Sequence, residues 1–206
     1  MSTATPARIA STAVLFSVLA ACSSGTSAPG PSSSAQPSGG APASSPAETE
    51  TNPAGDIPDN QAYVPFTPAG GGFTVKIPEG WASSAAGSTT TFTDKLNQVQ
   101  VTSSHTGGAP TAESVTTTDV PAVQGKTPNF AMGQVSTIAR TAGPVVLLTY
   151  QGDSAPNAVT GKVVRDAFER YSFFRAGLRV DLTLSGPTNA DNVDPWRTVT
   201  DSLRFS

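Results

Sequence analysis

The chain has 206 residues, with 12 Lys/Arg against 15 Asp/Glu and a formal charge of −3. A single cysteine excludes a disulfide framework, and a single histidine excludes a histidine-rich metal site. From Gln61 onward acidic and basic residues balance, so no basic excess is left to hold nucleic acid or anionic lipid by charge.

The chain opens on a short apolar run, Ile9 to Ala21, preceded by one charge, Arg8. About thirteen residues are too few for the roughly twenty that a membrane-spanning helix needs, and they suit the core of an export signal. Leu19, Ala20, Ala21 and Cys22 then follow in the order of a bacterial lipobox. The segment resembles the signals of bacterial lipoproteins. That resemblance implies removal of residues 1–21 as a signal peptide and a diacylglyceryl group on the Cys22 sulfur. Further acylation, by palmitate for example, would complete a membrane anchor on the extracytoplasmic side. Two or more acyl chains anchor stably, at about 0.8 kcal/mol per buried methylene, whereas one holds only marginally.

Residues 22–60 come next, almost wholly Ser, Pro, Gly and Ala after the cysteine, with Ile57 the one large aliphatic residue and no aromatic. Such a composition cannot offset the entropy of an ordered backbone, so a disordered tether is expected. A flexible chain of this length spans roughly 35 Å root-mean-square, and its prolines would extend it.

Residues 61–206 suffice for one domain with its own core. Phe73 to Ile77 alternate apolar and polar, ending at the turn Pro78-Glu79-Gly80. Hairpins are expected around Asp94 to Asn97, around Ala142-Gly143, and around Arg175-Ala176-Gly177. The last joins a strand over Lys162 to Phe174, with Val163, Ala167, Tyr171 and Phe173 on one side, to Leu178, Val180, Leu182 and Leu184. Those four alternate with Arg179, Asp181, Thr183 and Ser185, which predicts a strand with one buried face. Thr111 can cap a helix to Thr118, although its threonines make a poor interior. Asp194 and Pro195 predict the start of a final helix with Trp196, Val199 and Leu203 on one stripe. The fold class is α+β: an antiparallel sheet of about six or seven strands with packed helices.

Phe73 to Trp81, with its Pro78-Glu79-Gly80-Trp81 turn, resembles the opening strand of the PsbP-like fold. Arg170-Tyr171, Leu184 to Pro187 and Ala190 to Arg197 resemble the tail of actinobacterial cell-envelope lipoproteins of the LpqN type, which carry such a domain after a lipobox and a tether. The resemblance implies an α/β/α sandwich, no shared catalytic site and no cofactor, and transfers no photosynthetic role.

Catalytic sets are scarce. His105 follows Ser103 and Ser104, but strand neighbours point to opposite faces and no G-x-S-x-G elbow occurs. Asp191, Asn192 and Asp194 form the densest oxygen cluster, better explained as a turn and helix cap than as a calcium site. Gly70 to Gly72 lack the Lys-Ser/Thr of a phosphate loop and fit the end of the tether. Asp166 and Glu169, three apart in a strand, face opposite ways, as on a solvated strand. Among the aromatics, Trp81, Tyr171 and Trp196 would line any apolar cleft left between sheet and terminal helix, where an acyl chain or glycolipid could lie. The leading expectation is a non-catalytic envelope accessory that binds a protein or a lipid. An esterase or wall hydrolase using Ser103 or Ser104 with His105, and a purely structural wall component, are the alternatives.

Overall fold

The computed structural model describes residues 53–206, Ala158 excepted. Cys22, the expected signal peptide 1–21 and most of the expected tether lie outside the described residues. Seven strands form one antiparallel sheet: β3 (Ala82–Ala86), β4 (Thr89–Asp94), β5 (Asn97–His105), β6 (Ala131–Arg140), β7 (Gly143–Asp153), β8 (Arg165–Arg175) and β9 (Leu178–Pro187). Their order is β3-β4-β5-β9-β8-β7-β6. Two meanders, one early and one late in the chain, therefore meet at a single seam, β5 against β9. A smaller sheet, ordered β1-β2-β10, joins β1 (Tyr63–Phe66), β2 (Phe73–Pro78) and β10 (Arg204–Phe205).

The turns follow the sequence. Arg175 pairs with Leu178, leaving Ala176 and Gly177 both at positive φ, the two-residue turn whose twist suits a hairpin. Lys95 and Gly143 take positive φ in the other two expected hairpins. Gly70 to Gly72, however, do not end a tether. They lie between β1 and β2, and Gly71 and Gly72 both adopt positive φ there.

One face of the large sheet carries the main core. Tyr171, Phe173, Val180, Leu182, Leu184, Val99 and Val101 point into it, and Phe73, Val75 and Ile77 of β2 oppose them. Helix α3 (Val193–Asp201) closes this side, burying Trp196 and Val199, with Leu203 just beyond it. The expected Asp194 cap is not made. Asn192 precedes the helix and Asp194 is exposed in the first turn, where its charge still suits the positive end of the helix dipole. Asn192 is buried and occupied elsewhere: its Oδ1 accepts from the Ile57 N–H (2.8 Å), and its Nδ2 donates to the Gly55 carbonyl (3.0 Å) and Asn97 Oδ1 (3.1 Å). These bonds move the domain boundary. Ile57, assigned to the tether on composition, is a core residue at 5% exposure, so the folded unit begins before residue 61. Two hydrogen bonds from this segment to one Asn side chain, held in place by the third to Asn97, supply ordering that the composition alone lacks.

The other face is covered by a continuous helical segment: α1 (Ala112–Ser114), a π-helical turn (Val115–Asp119) and α2 (Val120–Gln124). Thr111 caps it as expected, its Oγ1 accepting from Ser114 N–H while Ser114 Oγ accepts from Thr111 N–H. The threonines explain the irregular winding in part: Thr116 and Thr117 turn their hydroxyls back onto the carbonyls of Ala112 and Glu113. Val115 and Val120 pack on Val146, Leu148 and Tyr150 of β7. The domain is thus a sheet with helices on both faces. It also means that β9 is not half-solvated. Asp181 and Ser185, assigned to an outward face, are 5% and 4% exposed, because the helical segment and neighbouring loops cover that side.

Candidate functional site

The residues singled out for function do not assemble. Ser103 is half-buried on β5 while Ser104 and His105 are exposed; no hydrogen bond links them, and no carboxylate holds the imidazole among the described residues. No cluster of three or more metal-ligating side chains occurs among the described residues. Trp81, Tyr171 and Trp196 do not line one common cleft among the described residues. Tyr171 is sealed in the core at 2% exposure; its hydroxyl donates to Glu169 and accepts from Arg140 Nη2 (3.1 Å). Burial, with the Glu169 carboxylate next, pushes that phenol pKa well up. Trp196 lines a hollow of about 380 Å³ with Met132, Ala167 and Glu169 of the sheet, and Trp81 lines a separate one beside Ile57.

Two features on the other face draw attention instead. The first is a buried polar network. Asp181 Oδ2 accepts from Arg170 Nη2 (2.8 Å), and its Oδ1 accepts from Ser172 Oγ (2.6 Å) and Arg179 Nε (3.0 Å). Arg179 Nη2 donates in turn to Asp119 in the π-helical turn and to Ser172 Oγ (3.0 Å). Burial works against the Arg179 charge, but hydrogen bonds and charge from Asp119 and Asp181 outweigh it and hold its pKa above the ordinary value. Two cations face two anions, so the charges balance, while Arg170 Nε is left without a hydrogen-bond partner among the described residues. The network pins the helical segment to the sheet.

The second feature is a groove of about 670 Å³ at the end of the sheet where α2 and the β7–β8 connection come together. Its volume lies within the roughly 300–1,000 Å³ usual for small-ligand sites. Its walls are the turn at Lys95, the stretch Lys126 to Pro128 after α2, and the loop from Ser154 to Val164. Gly152 makes the arrangement possible: a Cβ there would stand 2.0 Å from Thr127 Cγ2, so only glycine lets that stretch rest on β7. The loop is closed at its base by Ser154, whose N–H donates to the Val164 carbonyl (2.8 Å) and whose Oγ accepts from Val164 N–H (3.0 Å).

Asp166 forms the floor. It is 7% exposed, faces this groove, and its Oδ1 has no hydrogen-bond partner among the described residues. Burial, and secondarily the negative charge of Asp153, raises its pKa to about 6. Asp153 itself is held low by hydrogen bonds from Asn129 Nδ2 (2.6 Å) and Arg165 Nη1 (3.1 Å). Two carboxylates on one rim thus differ, one satisfied and one not. An unsatisfied buried carboxylate costs several kcal/mol unless something donates to it, and such a group marks a functional candidate. Asp166 had been assigned to a solvated strand face. It does point away from Glu169, but that face is covered here, and period-two patterning carries no sign of the cover.

No protein-family model matches the chain, and no curated protein matches it. Solved structures do. The chain is similar to the cyanobacterial PsbP (CyanoP) of Synechocystis sp. PCC 6803, with a TM-score of 0.52 and 14% identity over 71% of this chain and 94% of that one. The fold is PsbP-like. LpqN of Mycobacterium tuberculosis, described as involved in cell envelope biogenesis, matches with a TM-score of 0.43 and 13% identity over 72% of this chain and 92% of its own. A chain from Bacteroides thetaiotaomicron VPI-5482 matches with a TM-score of 0.49 and 8% identity; this chain spans 48% of its length. At such identities the likeness to CyanoP extends to architecture alone, as expected from the Phe73 to Trp81 strand and turn.

Proposed function

We propose that the chain is a lipid-anchored extracytoplasmic accessory of the cell envelope that binds a ligand in the groove floored by Asp166 and carries out no catalysis. The observation that carries the binding role is the unpartnered, buried Asp166 carboxyl at the base of an open groove. A fold gains nothing from such a group in isolation, and retaining it is accounted for by a partner that supplies the missing donor. The Leu19 to Cys22 lipobox supports the location, and the Ser/Pro/Gly/Ala tether would let the domain reach away from the bilayer. The envelope role described for LpqN is consistent with this placement.

The test is a thermal-shift screen of the detergent-solubilised full chain against a library of sugars, amino acids, short peptides, nucleotides and lipids. At least one class should raise the melting temperature, and the shift should vanish in Asp166→Ala. A library without a single groove-dependent shift overturns the binding role.

A further inference from the structure

We propose that the ligand of this groove is a small zwitterion, an amino acid or short peptide, whose ammonium group meets Asp166 and whose carboxylate meets Lys126 and Lys162. This rests on the reading of the groove as a binding site. The floor calls for a donor: Asp166 lines the groove and its side chain receives no hydrogen bond from the described residues, although Oδ1 itself is closed off and only the rest of the carboxyl can meet a ligand. Asp153, the nearest other carboxylate, adds to the negative field there although it is paired with Arg165. An ammonium supplies both the proton donor and the balancing charge.

The mouth sets the second requirement. Lys95, Lys126 and Lys162 all line the same groove. Lys126 and Lys162 are exposed and form no ion pair among the described residues, and Lys95 has only a 4.0 Å contact with Asp94. A bare amine or metal cation would have to pass these charges, and the described residues include no third acidic ligand to hold a metal. A simple anion would be drawn to the rim and then meet Asp166. Only a molecule carrying both signs, cation foremost, matches floor and rim together.

Calorimetric titration of the detergent-solubilised full chain at pH 7.5 with three probes decides it: trialanine, N-acetyl-trialanine and trialanine amide. Trialanine should bind, with removal of either end charge weakening it about tenfold or more. Asp166→Asn should erase the preference for the free ammonium, and Lys126→Ala with Lys162→Ala the preference for the free carboxylate. Equal affinity for free and acetylated peptide, or no heat from trialanine, overturns the ligand class. A groove that fails this test yet takes another molecule in the library screen keeps its binding role; failure of both removes that role as well.

Discussion

Arg179 on β9 grips Asp119 in the π-helical turn, sixty residues earlier in the chain, and this is the one ion pair that ties the helical segment to the sheet among the described residues. Both side chains are mostly buried. Removing one partner from such a pair strands the other. Arg179 keeps Asp181, so the loss is smaller than for a bare pair. Asp119→Ala should cost about 2 kcal/mol in urea unfolding. Hydrogen exchange should quicken over Ala112–Gln124 before anywhere else; a uniform loss across the domain would contradict a pinning role.

Asn192 is the second anchor. Its side chain satisfies Ile57 N–H and the Gly55 carbonyl and meets Asn97. Asn192→Ala leaves a buried donor without an acceptor, which costs about 1–3 kcal/mol. The segment 53–60 should become cleavable by proteases while the rest of the domain resists. Gly186→Ala should act the same way, since its Cβ would stand 2.4 Å from Asn97 Oδ1.

Asp166 makes stability depend on pH with an unusual sign. Its folded pKa, about 6, lies above the ordinary value of 3.8. Between those values the native state binds more protons than the unfolded chain, so stability falls as pH climbs from about 4 to about 6 and stays lower above. The loss at pH 7 is on the order of 3 kcal/mol at most. Asp166→Asn should remove it, standing more stable than the parent at pH 7 and level with it near pH 4. Urea melts at both pH values measure this, and parallel parent and variant curves would refute it.

Cys22→Ser tests the anchor. The protein should leave the membrane fraction or accumulate as the uncleaved precursor, and the mass of the N-terminal peptide should lose its lipid. With formal neutrality from Gln61 onward, no net positive charge stands in for the missing acyl chains.

The sequence made the strands and their turns legible because period-two alternation and Gly-bearing turns are local. Leu178 to Leu184 and the Arg175-Ala176-Gly177 turn are examples. What covers a strand is not local. Asp181 and Asp166 read as solvent-facing because nothing within β8 or β9 reveals that residues 112–124 and the loops beside them come to rest there. Ile57 was missed for the same reason: its burial depends on Asn192, 135 residues away. The groove was therefore invisible, although its most telling residue had been noticed. Trp196 illustrates the converse, since its helical stripe predicts burial correctly while leaving open whether a gap remains beside it.

The seam between β5 and β9 has a consequence for how the chain acquires its structure. Val101 must find Leu182 before the two meanders share a core, and Phe73 must find Phe205 before the small sheet is complete. Loop-closure entropy makes such distant pairings late and slow. A ribosome that has released only the first three-quarters of the chain has delivered β3 to β5 without the strand they pair with. The shared core therefore cannot close until β9 has emerged, so the early meander waits for a strand that is made more than seventy residues later.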